Sequence, residues 1–202
     1  SNKHKIHTKT ISPTPRIGLV NGLYATHTGL GGLTIIEAFR VPSDNRLSLE
    51  LTGQQGDVMK ESMKVAKTIA WNILPHYVKS AIHRSWSQAG TFGIHIHCPE
   101  GGTPKDGPSA GAAITCTIVS LLTHLPACNT VAMTGEIDLN GSIHPIGGLE
   151  TKLNGAKKAG VKKVLCPRLN SDDLERITKE DENLLEEEFQ VIIVDTIWDV
   201  LP

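Results

Sequence analysis

Hydrophobic and polar positions alternate along the first fifty residues in the manner of β-strands. Three short runs rich in apolar and β-branched residues, at 17–20, 34–41 and 47–52, are separated by glycine-rich segments. A period of two places every second side chain on one face of a sheet. We therefore predict three strands here, with turns at the glycines between them, namely Gly22, Gly29, Gly31 and Gly32.

The spacing then becomes helical. Between residues 57 and 74 apolar side chains recur about every third or fourth position, and Pro75 follows directly. Because proline cannot continue a helix, we predict one helix over residues 57–74 and a second, shorter one over residues 76–85. An alternating run over residues 92–98 predicts a further strand, which Pro99 ends.

The second half of the chain combines short apolar strands with amphipathic helices. Asn140-Gly141 marks a hairpin within residues 135–143, and Gly160 stands where a glycine commonly ends a helix. The predicted helices are 112–122, 149–159 and 171–188, the last broken near Thr178, and the predicted strands are 131–133, 163–166 and 190–194. This order predicts an α/β (α+β) fold, with mixed sheets and packed helices.

The chain is long enough for one domain with a sizeable core. Residues 1–15 are polar and contain two X-Pro steps, so we predict a tail or linker there and a single domain over residues 16–202. The chain begins at Ser1 without a methionine, which leads us to expect that it derives from a longer protein.

Charge and cysteine usage exclude some classes of function. The 20 basic and 21 acidic residues give a net charge of −1, so no electrostatic footprint for nucleic acid is present. The four cysteines form no C-x-x-C pair, and we expect buried thiols in a reducing compartment. No apolar run reaches the roughly 18 residues of a membrane-spanning helix, so we expect no membrane partner.

The segment with the strongest chemical signal is the glycine- and proline-rich loop of residues 101–111, which opens into the predicted helix 112–122. It presents Ser109 where backbone N–H groups of a helix start are unpaired and the helix dipole favours negative charge. That position suits a nucleophile whose reaction forms an oxyanion. It equally suits a serine that caps the helix, so both interpretations stay open from this segment alone.

Two familiar motifs fit this loop poorly. Gly102 and Gly107 have the glycine spacing of a phosphate-binding loop, but Pro108 replaces the lysine that would reach the phosphates. Residues 107–111 also match G-x-S-x-G, yet that nucleophile elbow needs a strand immediately before the serine. A serine–histidine–acid triad would have to use His144 with an acid such as Asp138.

A serine–lysine dyad is the third possibility, with Lys152 as the base. An ordinary lysine has a pKa of about 10.4 and is protonated at neutral pH, so it must be buried to accept a proton. Lys152 lies in the first turn of the helix predicted over residues 149–159, next to Leu149 and Leu153. A solvated surface lysine would fit the same sequence, and spacing does not distinguish the two.

Several segments together resemble the proteolytic domain of Lon, the ATP-dependent protease. They are Glu100 to Gly111, Met133-Thr134-Gly135-Glu136-Ile137, Pro145-Ile146-Gly147-Gly148-Leu149 through Lys152, residues 51–54 with 58–62, and His95-Ile96-His97. The likeness extends from about residue 17 to the end. It implies that Ser109 is the nucleophile, Lys152 the general base and Thr134 a hydrogen-bond partner of the lysine. It also implies that the amide of Ala110 or Ser109 lies in the oxyanion hole.

The resemblance carries further expectations about the whole protein. It implies a compact Lon-protease-domain fold, hexameric rings and an upstream AAA+ module that would hold ATP and Mg²⁺, with no cofactor in this domain. Substrates would be unfolded or damaged polypeptides, in the cytoplasm or the mitochondrial matrix. The sequence leaves two alternatives open: an oligomerisation module that is inactive in isolation, and a serine–histidine esterase of α/β-hydrolase type.

Three further sets of polar residues have spacings that bear on the site. Asp106 is expected to orient the loop by bonding to its backbone, together with Gly107. Glu37, on a predicted strand, is expected either to face the active-site loop and hold it in an inactive form or to be solvated. His95 and His97 share one face of a strand at a spacing that zinc could use, but no third ligand follows, so we expect no metal site.

Overall fold

The computed structural model describes residues 9–53, 56–99 and 108–201, with the backbone alone at Pro108. Its strands are β1 (Leu19–Ala25), β2 (Gly31–Pro42), β3 (Leu49–Thr52), β4 (Phe92–His97), β5 (Val131–Met133), β6 (Glu136–Ile137), β7 (Ile143–His144), β8 (Lys163–Pro167) and β9 (Gln190–Val194). Its α-helices are α1 (Asp57–Ile73), α2 (His76–Ala89), α3 (Gly111–Thr123), α4 (Leu149–Lys158) and α5 (Ser171–Glu180).

Seven of these strands form one mixed sheet in the order β3-β4-β2-β1-β5-β8-β9, and β6 and β7 form a separate antiparallel hairpin. β1, β5, β8 and β9 are parallel to one another, and β2 runs antiparallel to both β1 and β4. Parallel strands end at the same edge of a sheet. The residues that follow β5 and β8 are therefore brought together at one edge.

The sheet separates two hydrophobic cores. Val20 and Ile36 point to the core formed with α1, α2 and α3, whereas Leu23 and Leu33, three positions away on the same strands, point to the core formed with α4 and α5. The fold is thus a sheet covered by helices on both faces, as the α/β prediction requires. None of the helices in the described ranges is long and apolar enough to cross a membrane.

Most predicted elements are confirmed, including the two helices on either side of Pro75 and the hairpin turn at Gly141. The turns predicted at Gly22, Gly31 and Gly32 are wrong, because these residues lie inside β1 and β2. There they allow close packing: a Cβ atom on Gly31 would overlap the carbonyl of Thr151 in α4. At Gly31 the absence of a side chain allows α4 to pack closely on the sheet, and the residue does not form a turn.

The long acidic helix predicted over residues 171–188 is also wrong beyond Glu180, where α5 ends. Asp181 leaves the helical conformation, with φ −130° and ψ 88°. The chain then turns so that Leu184 and Phe189 are both buried in the core beside α4. Burial of Leu184 and Phe189 decides the path of this segment. The many glutamates around them give the sequence the pattern of a solvated helix, so this burial is not evident from the sequence.

Part of the predicted tail is fastened to the domain. The amide of Ile11 donates to the carbonyl of Ala159 at 3.0 Å, and the side-chain amide of Asn129 donates to the carbonyl of Ser12 at 2.7 Å. The ammonium of Lys9 donates to the carbonyl of Pro99 at 2.6 Å. Residues 9–12 therefore pack across the C-terminal end of α4 as an irregular strap.

All four cysteines are free thiols, and Cys98, Cys116 and Cys166 are buried as expected. Cys128 contradicts that expectation because it is exposed. A hydrogen bond with the hydroxyl of Thr130 lowers the pKa of its thiol. The residue lies in the connection that precedes β5, where no helix covers it.

Candidate active site

Lys152 is buried, with only 3% of its surface exposed. It lies on α4, whose apolar residues Leu149 and Leu153 pack into the core on either side of it. Its ammonium donates a hydrogen bond to the hydroxyl of Thr134 at 3.1 Å. Burial lowers the pKa of Lys152 from its ordinary value of 10.5 to about 8, because the charged form loses its hydration. A substantial fraction of this amine is therefore neutral near physiological pH.

Within residues 9–53, 56–99 and 108–201, Lys152 forms no ion pair with a carboxylate. Cys166, at the end of β8, is the titratable group that acts on it, and burial raises the pKa of that thiol to about 12. The thiol is thus uncharged throughout the pH range in which the lysine titrates. Glu150 is exposed on the same helix, two residues away, so its carboxylate lies in solvent.

Thr134 comes directly after β5 and is 1% exposed. Its amide donates to the carbonyl of Leu165 in β8 at 3.3 Å, which fixes it at the sheet edge. The next residue, Gly135, has φ 153°, and a Cβ atom there would overlap the side chain of Ile143 in the hairpin. Only glycine fits this position, so the backbone can turn away from the sheet immediately after the threonine.

Gly135 also connects Thr134 to Ser109. Its amide donates to the carbonyl of Ser109 at 2.9 Å, and its carbonyl accepts from the amide of Ala112 in α3 at 3.0 Å. These two bonds hold the turn Pro108–Ala110, which leads directly into α3, against the segment that bears the lysine's partner. The structure thus places Ser109 at a helix start and links it through one residue to the Thr134–Lys152 pair.

The start of α3 supplies the electrostatic features expected of an oxyanion site. Ala110 is buried and is the first residue before the helix proper, with φ −90° and ψ 0°. Helix-start amides point away from the helix body and carry partial positive charge. Asp106 and Gly107, the other predicted contributors from this loop, lie outside the described residues.

Glu37, expected either to face the active-site loop or to be solvated, lies on β2 directly opposite His97 of β4 and is half-buried. The hydroxyl of Thr52 lies 2.8 Å from Nε2 of His95 and 2.6 Å from Nδ1 of His97. Both imidazoles are therefore hydrogen-bonded to one threonine. Within the described ranges no group of three or more histidine, cysteine, aspartate or glutamate residues could hold a metal ion.

His144, the base that an esterase would need, lies on the hairpin formed by β6 and β7. Its Nε2 is 2.6 Å from Oδ2 of Asp138, and the two side chains are 47% and 35% exposed. The hydrogen bond from His144 lowers the pKa of Asp138. This pair is in contact with solvent, whereas Lys152 is buried.

Sequence reasoning missed two buried residues, Cys166 and Asn170. Cys166 was interpreted only as a buried strand residue. Asn170 is 2% exposed and lies in a short turn between β8 and α5. The sequence gives no signal for it beyond an asparagine ahead of a helix, which is a common capping position. Its side chain contacts the segment that leads into α4.

Comparison with known proteins agrees with this geometry. The sequence model of the Lon protease (S16) C-terminal proteolytic domain matches residues 2–202. Similar proteins include a Lon protease homolog of Acanthamoeba polyphaga mimivirus, 42% identical, and the Lon proteases of Orientia tsutsugamushi, 45% identical, and Roseiflexus castenholzii, 39% identical. These matches cover 99%, 85% and 98% of this chain, respectively.

The matches cover much less of the relatives than of this chain. They take in 20%, 21% and 23% of those three proteins in the same order. The chain therefore spans about a fifth of the length of the curated relatives it matches. The similarity identifies the kind of domain, and the remaining four-fifths of each relative has no counterpart in these 202 residues.

Proposed function

This chain belongs to the Lon protease family as a C-terminal proteolytic domain of serine-peptidase type, and on that premise we propose that Ser109 and Lys152 are its catalytic dyad. The observation that carries the proposal is the buried amine of Lys152, whose pKa is lowered to about 8 and which hydrogen-bonds Thr134. A lysine that is buried and has no carboxylate partner among the described residues is an unfavourable arrangement that folding alone does not require.

In the proposed reaction the hydroxyl oxygen of Ser109 attacks the peptide carbonyl while the neutral amine of Lys152 takes the hydroxyl proton. The resulting ammonium gives that proton to the leaving amine as the C–N bond breaks, which leaves an ester on Ser109. Water then attacks the ester with Lys152 again as base, and the acid product and free serine are released. Protons and charges balance over the two halves of the cycle.

Two neighbours support this chemistry. The hydroxyl of Thr134 accepts a hydrogen bond from the ammonium of Lys152. When the amine is neutral, the same hydroxyl holds the amine nitrogen beside the turn that bears Ser109. We propose that the amide of Ala110 or Ser109, at the start of α3, donates to the oxyanion of the tetrahedral intermediate; the support is its position at a helix start. Asp106, Gly107 and Glu37 are proposed as loop-positioning residues.

For the parent protein we propose an upstream AAA+ module that binds ATP and Mg²⁺ and threads unfolded or damaged polypeptides to this domain. We further propose a hexameric ring and a location in the cytoplasm or the mitochondrial matrix. The support is the family membership together with the large part of each relative that lies outside the matched region.

A direct test combines pH dependence, substitution and labelling. Because only the neutral lysine accepts a proton, kcat/KM for a fluorogenic peptide should rise about tenfold per pH unit and level off near pH 8. Ser109→Ala and Lys152→Met should each lower kcat by at least about 10³, and His144→Ala should leave it within about twofold. A serine-reactive phosphonate should label Ser109, as located by mass spectrometry.

The outcomes separate the alternatives. Loss of activity in His144→Ala with retention in Lys152→Met would establish the esterase mechanism in place of the dyad. An unlabelled, inactive chain that nevertheless forms a ring by light scattering would indicate an assembly module. Activity that is independent of pH between 6 and 9 would contradict the role of a lysine with a lowered pKa.

A further inference from the structure

Asn170 holds the segment that leads into α4 by a two-sided amide contact. Its Oδ1 accepts a hydrogen bond from the amide of Ile146 at 2.9 Å, and its Nδ2 donates to the carbonyl of the same residue at 2.8 Å. Nδ2 also donates to Oδ2 of Asp173 at 3.1 Å. The carboxylate can only accept, so it settles which end of the Asn170 amide is the nitrogen.

Ile146 lies between β7 and α4, in a segment that has no strand partner of its own. The preceding Pro145 has no amide hydrogen, and Gly148, the last residue before α4, has φ 68°. By bonding both backbone groups of Ile146, the Asn170 side chain takes the place of a neighbouring strand. Because the oxygen and the nitrogen of this buried amide are both hydrogen-bonded, the amide restrains the backbone of Ile146.

Ile146 lies two residues before Gly148, from which the first turn of α4 begins. The amide of Lys152 donates to the carbonyl of Gly148 at 3.0 Å, so the lysine belongs to the first turn that grows from this segment. Asn170 itself follows β8 by only three residues, and β8 carries Cys166, which acts on the buried amine. The side chain of Asn170 thus connects the segment before α4 to the residues that follow β8, the strand that carries Cys166.

We propose that Asn170 is a positioning residue for Lys152, which keeps the first turn of α4 closed against β8 so that water does not reach the amine. This inference rests on the proposed role of Lys152 as the base. The two hydrogen bonds between the Asn170 side chain and the backbone of Ile146 are here called the clamp. Without the clamp, the segment at Ile146 becomes more mobile and the amine of Lys152 regains hydration. A larger fraction of the amine is then protonated at neutral pH. Substrate binding, which the clamp does not contact, changes little.

The groups around Lys152 make this effect measurable. Cys166 is the titratable group acting on the amine, and Asp173 on α5 acts on that thiol and raises its pKa. From β1 and β2 the core around α4 receives apolar Leu23 and Leu33. When Asn170 is shortened, Asp173 loses the Nδ2 donor, so the double variant Asn170→Ala, Asp173→Ala separates a change in hydration from a change in the charge of that carboxylate.

The experiment titrates the Lys152 amine directly in the 202-residue chain. Selectively ¹³C-labelled lysine gives an NMR signal for its Cε that Lys152→Met identifies by its disappearance. Asn170→Ala should move the midpoint of that signal upward by about one pH unit, toward the ordinary lysine value. The ascending limb of kcat/KM should move by the same amount, about a tenfold loss at pH 7, with KM within about twofold.

Asn154→Ala is the matched control, because Asn154 is an exposed asparagine on α4 whose amide donates only to the carbonyl of Glu150 in its own helix. It should leave both the titration and the pH profile unmoved. If Asn170→Ala does not fold, Asn170→Ser, which keeps a polar group but is too short to span both backbone groups of Ile146, carries the test with an intermediate movement.

A variant that is less stable by thermal denaturation but has an unmoved lysine signal and pH profile would overturn the proposal and leave Asn170 a structural residue. Failure of the proposed function is distinguishable, because it shows as retained activity in Lys152→Met. The NMR titration reports on the amine whether or not the amine takes part in catalysis.

Discussion

At the scale of single residues, the lysine of the proposed dyad is held in the folded chain at the expense of stability. The fall in the pKa of Lys152 from 10.5 to about 8 corresponds to roughly 3 kcal/mol of disfavoured charge at neutral pH. A protein that used this position only for packing would be more stable with an apolar side chain. The lowered pKa does not favour stability, and it is a property that catalytic groups commonly show.

This leads to a prediction about Lys152→Met. Between about pH 8 and 10.5 the unfolded chain binds a proton at this lysine that the native chain does not, so wild-type stability rises with pH across that window. The variant lacks this dependence. It should be more stable than wild type by about 2 kcal/mol at pH 7, slightly less than the full charge penalty because Thr134 loses its donor. The gain should disappear near pH 10.5.

Urea denaturation at pH 7 and at pH 10.5 measures both values, and Lys158→Met, an exposed lysine of the same helix, is the control that should change little. A Lys152→Met variant that is destabilised equally at both pH values would show that the native lysine is charged and favourably paired.

At the scale of elements, the contact between α4 and β2 depends on two glycines that face each other. A Cβ atom on Gly155 would overlap the backbone of Gly31 and Gly32, and one on Gly31 would overlap the carbonyl of Thr151. Backbone atoms cannot move aside as side-chain ends can. This close approach brings the helix that carries Lys152 down onto the sheet, so the glycines act on the site through packing.

Gly155→Ala should therefore destabilise the chain by about 2–3 kcal/mol, even though alanine is the better helix former by about 1 kcal/mol. Thermal or urea denaturation measures the change. Gly147→Ala is the matched control, because a Cβ atom there meets nothing within 4 Å, and it should stay within about 0.5 kcal/mol of wild type. Equal effects from both variants would mean that α4 packs less closely than described.

Element prediction succeeded where the local signal and the tertiary role coincide. Pro75 separates α1 from α2, and Gly160, with φ 91°, follows α4 as its spacing predicts. It failed where a residue serves a distant contact: Gly31 reads as a turn former but lies in a strand against Thr151. Leu184 and Phe189, which lie near the glutamates after α5, are another example. The sequence pattern predicted a helix in this segment, but both side chains are buried in the core.

At the scale of the whole molecule, the strap of residues 9–12 joins parts of the fold that are far apart in sequence. Ile11 bonds the end of α4, Ser12 bonds Asn129 ahead of β5, and Lys9 bonds Pro99 after β4. The prediction of residues 1–15 as a tail or linker stays a prediction for the parent chain, but residues 9–12 make contacts of a kind that stabilises a domain.

Deletion of residues 1–15 should accordingly lower the free energy of unfolding by about 1–3 kcal/mol, since three hydrogen bonds and the packing of Ile11 on Gly160 are lost. Deletion of residues 1–8, which leaves every one of these bonds in place, is the matched comparison. The two truncations are compared by urea denaturation, and equal stability would show that the strap contributes nothing.

The sequence by itself determined the element types, most of their limits and, through its resemblance to a family, the identity of Ser109 and Lys152 as candidates. Periodicity, turn residues and motifs involve residues that are close in sequence, so they can be recognised without the tertiary structure. The sequence did not say whether Lys152 is buried or solvated, because spacing along a helix leaves the direction of burial undefined.

Only the tertiary structure decided that question, together with the roles open to Cys166 and Asn170. The sheet order places the ends of β5 and β8 side by side, and the close seat of α4 on β2 turns Lys152 toward them. Desolvation depends on every element that surrounds a group, so the lowered pKa of this amine is a property of the assembled fold. The clamp of Asn170 on Ile146, 24 residues apart, arises in the same way.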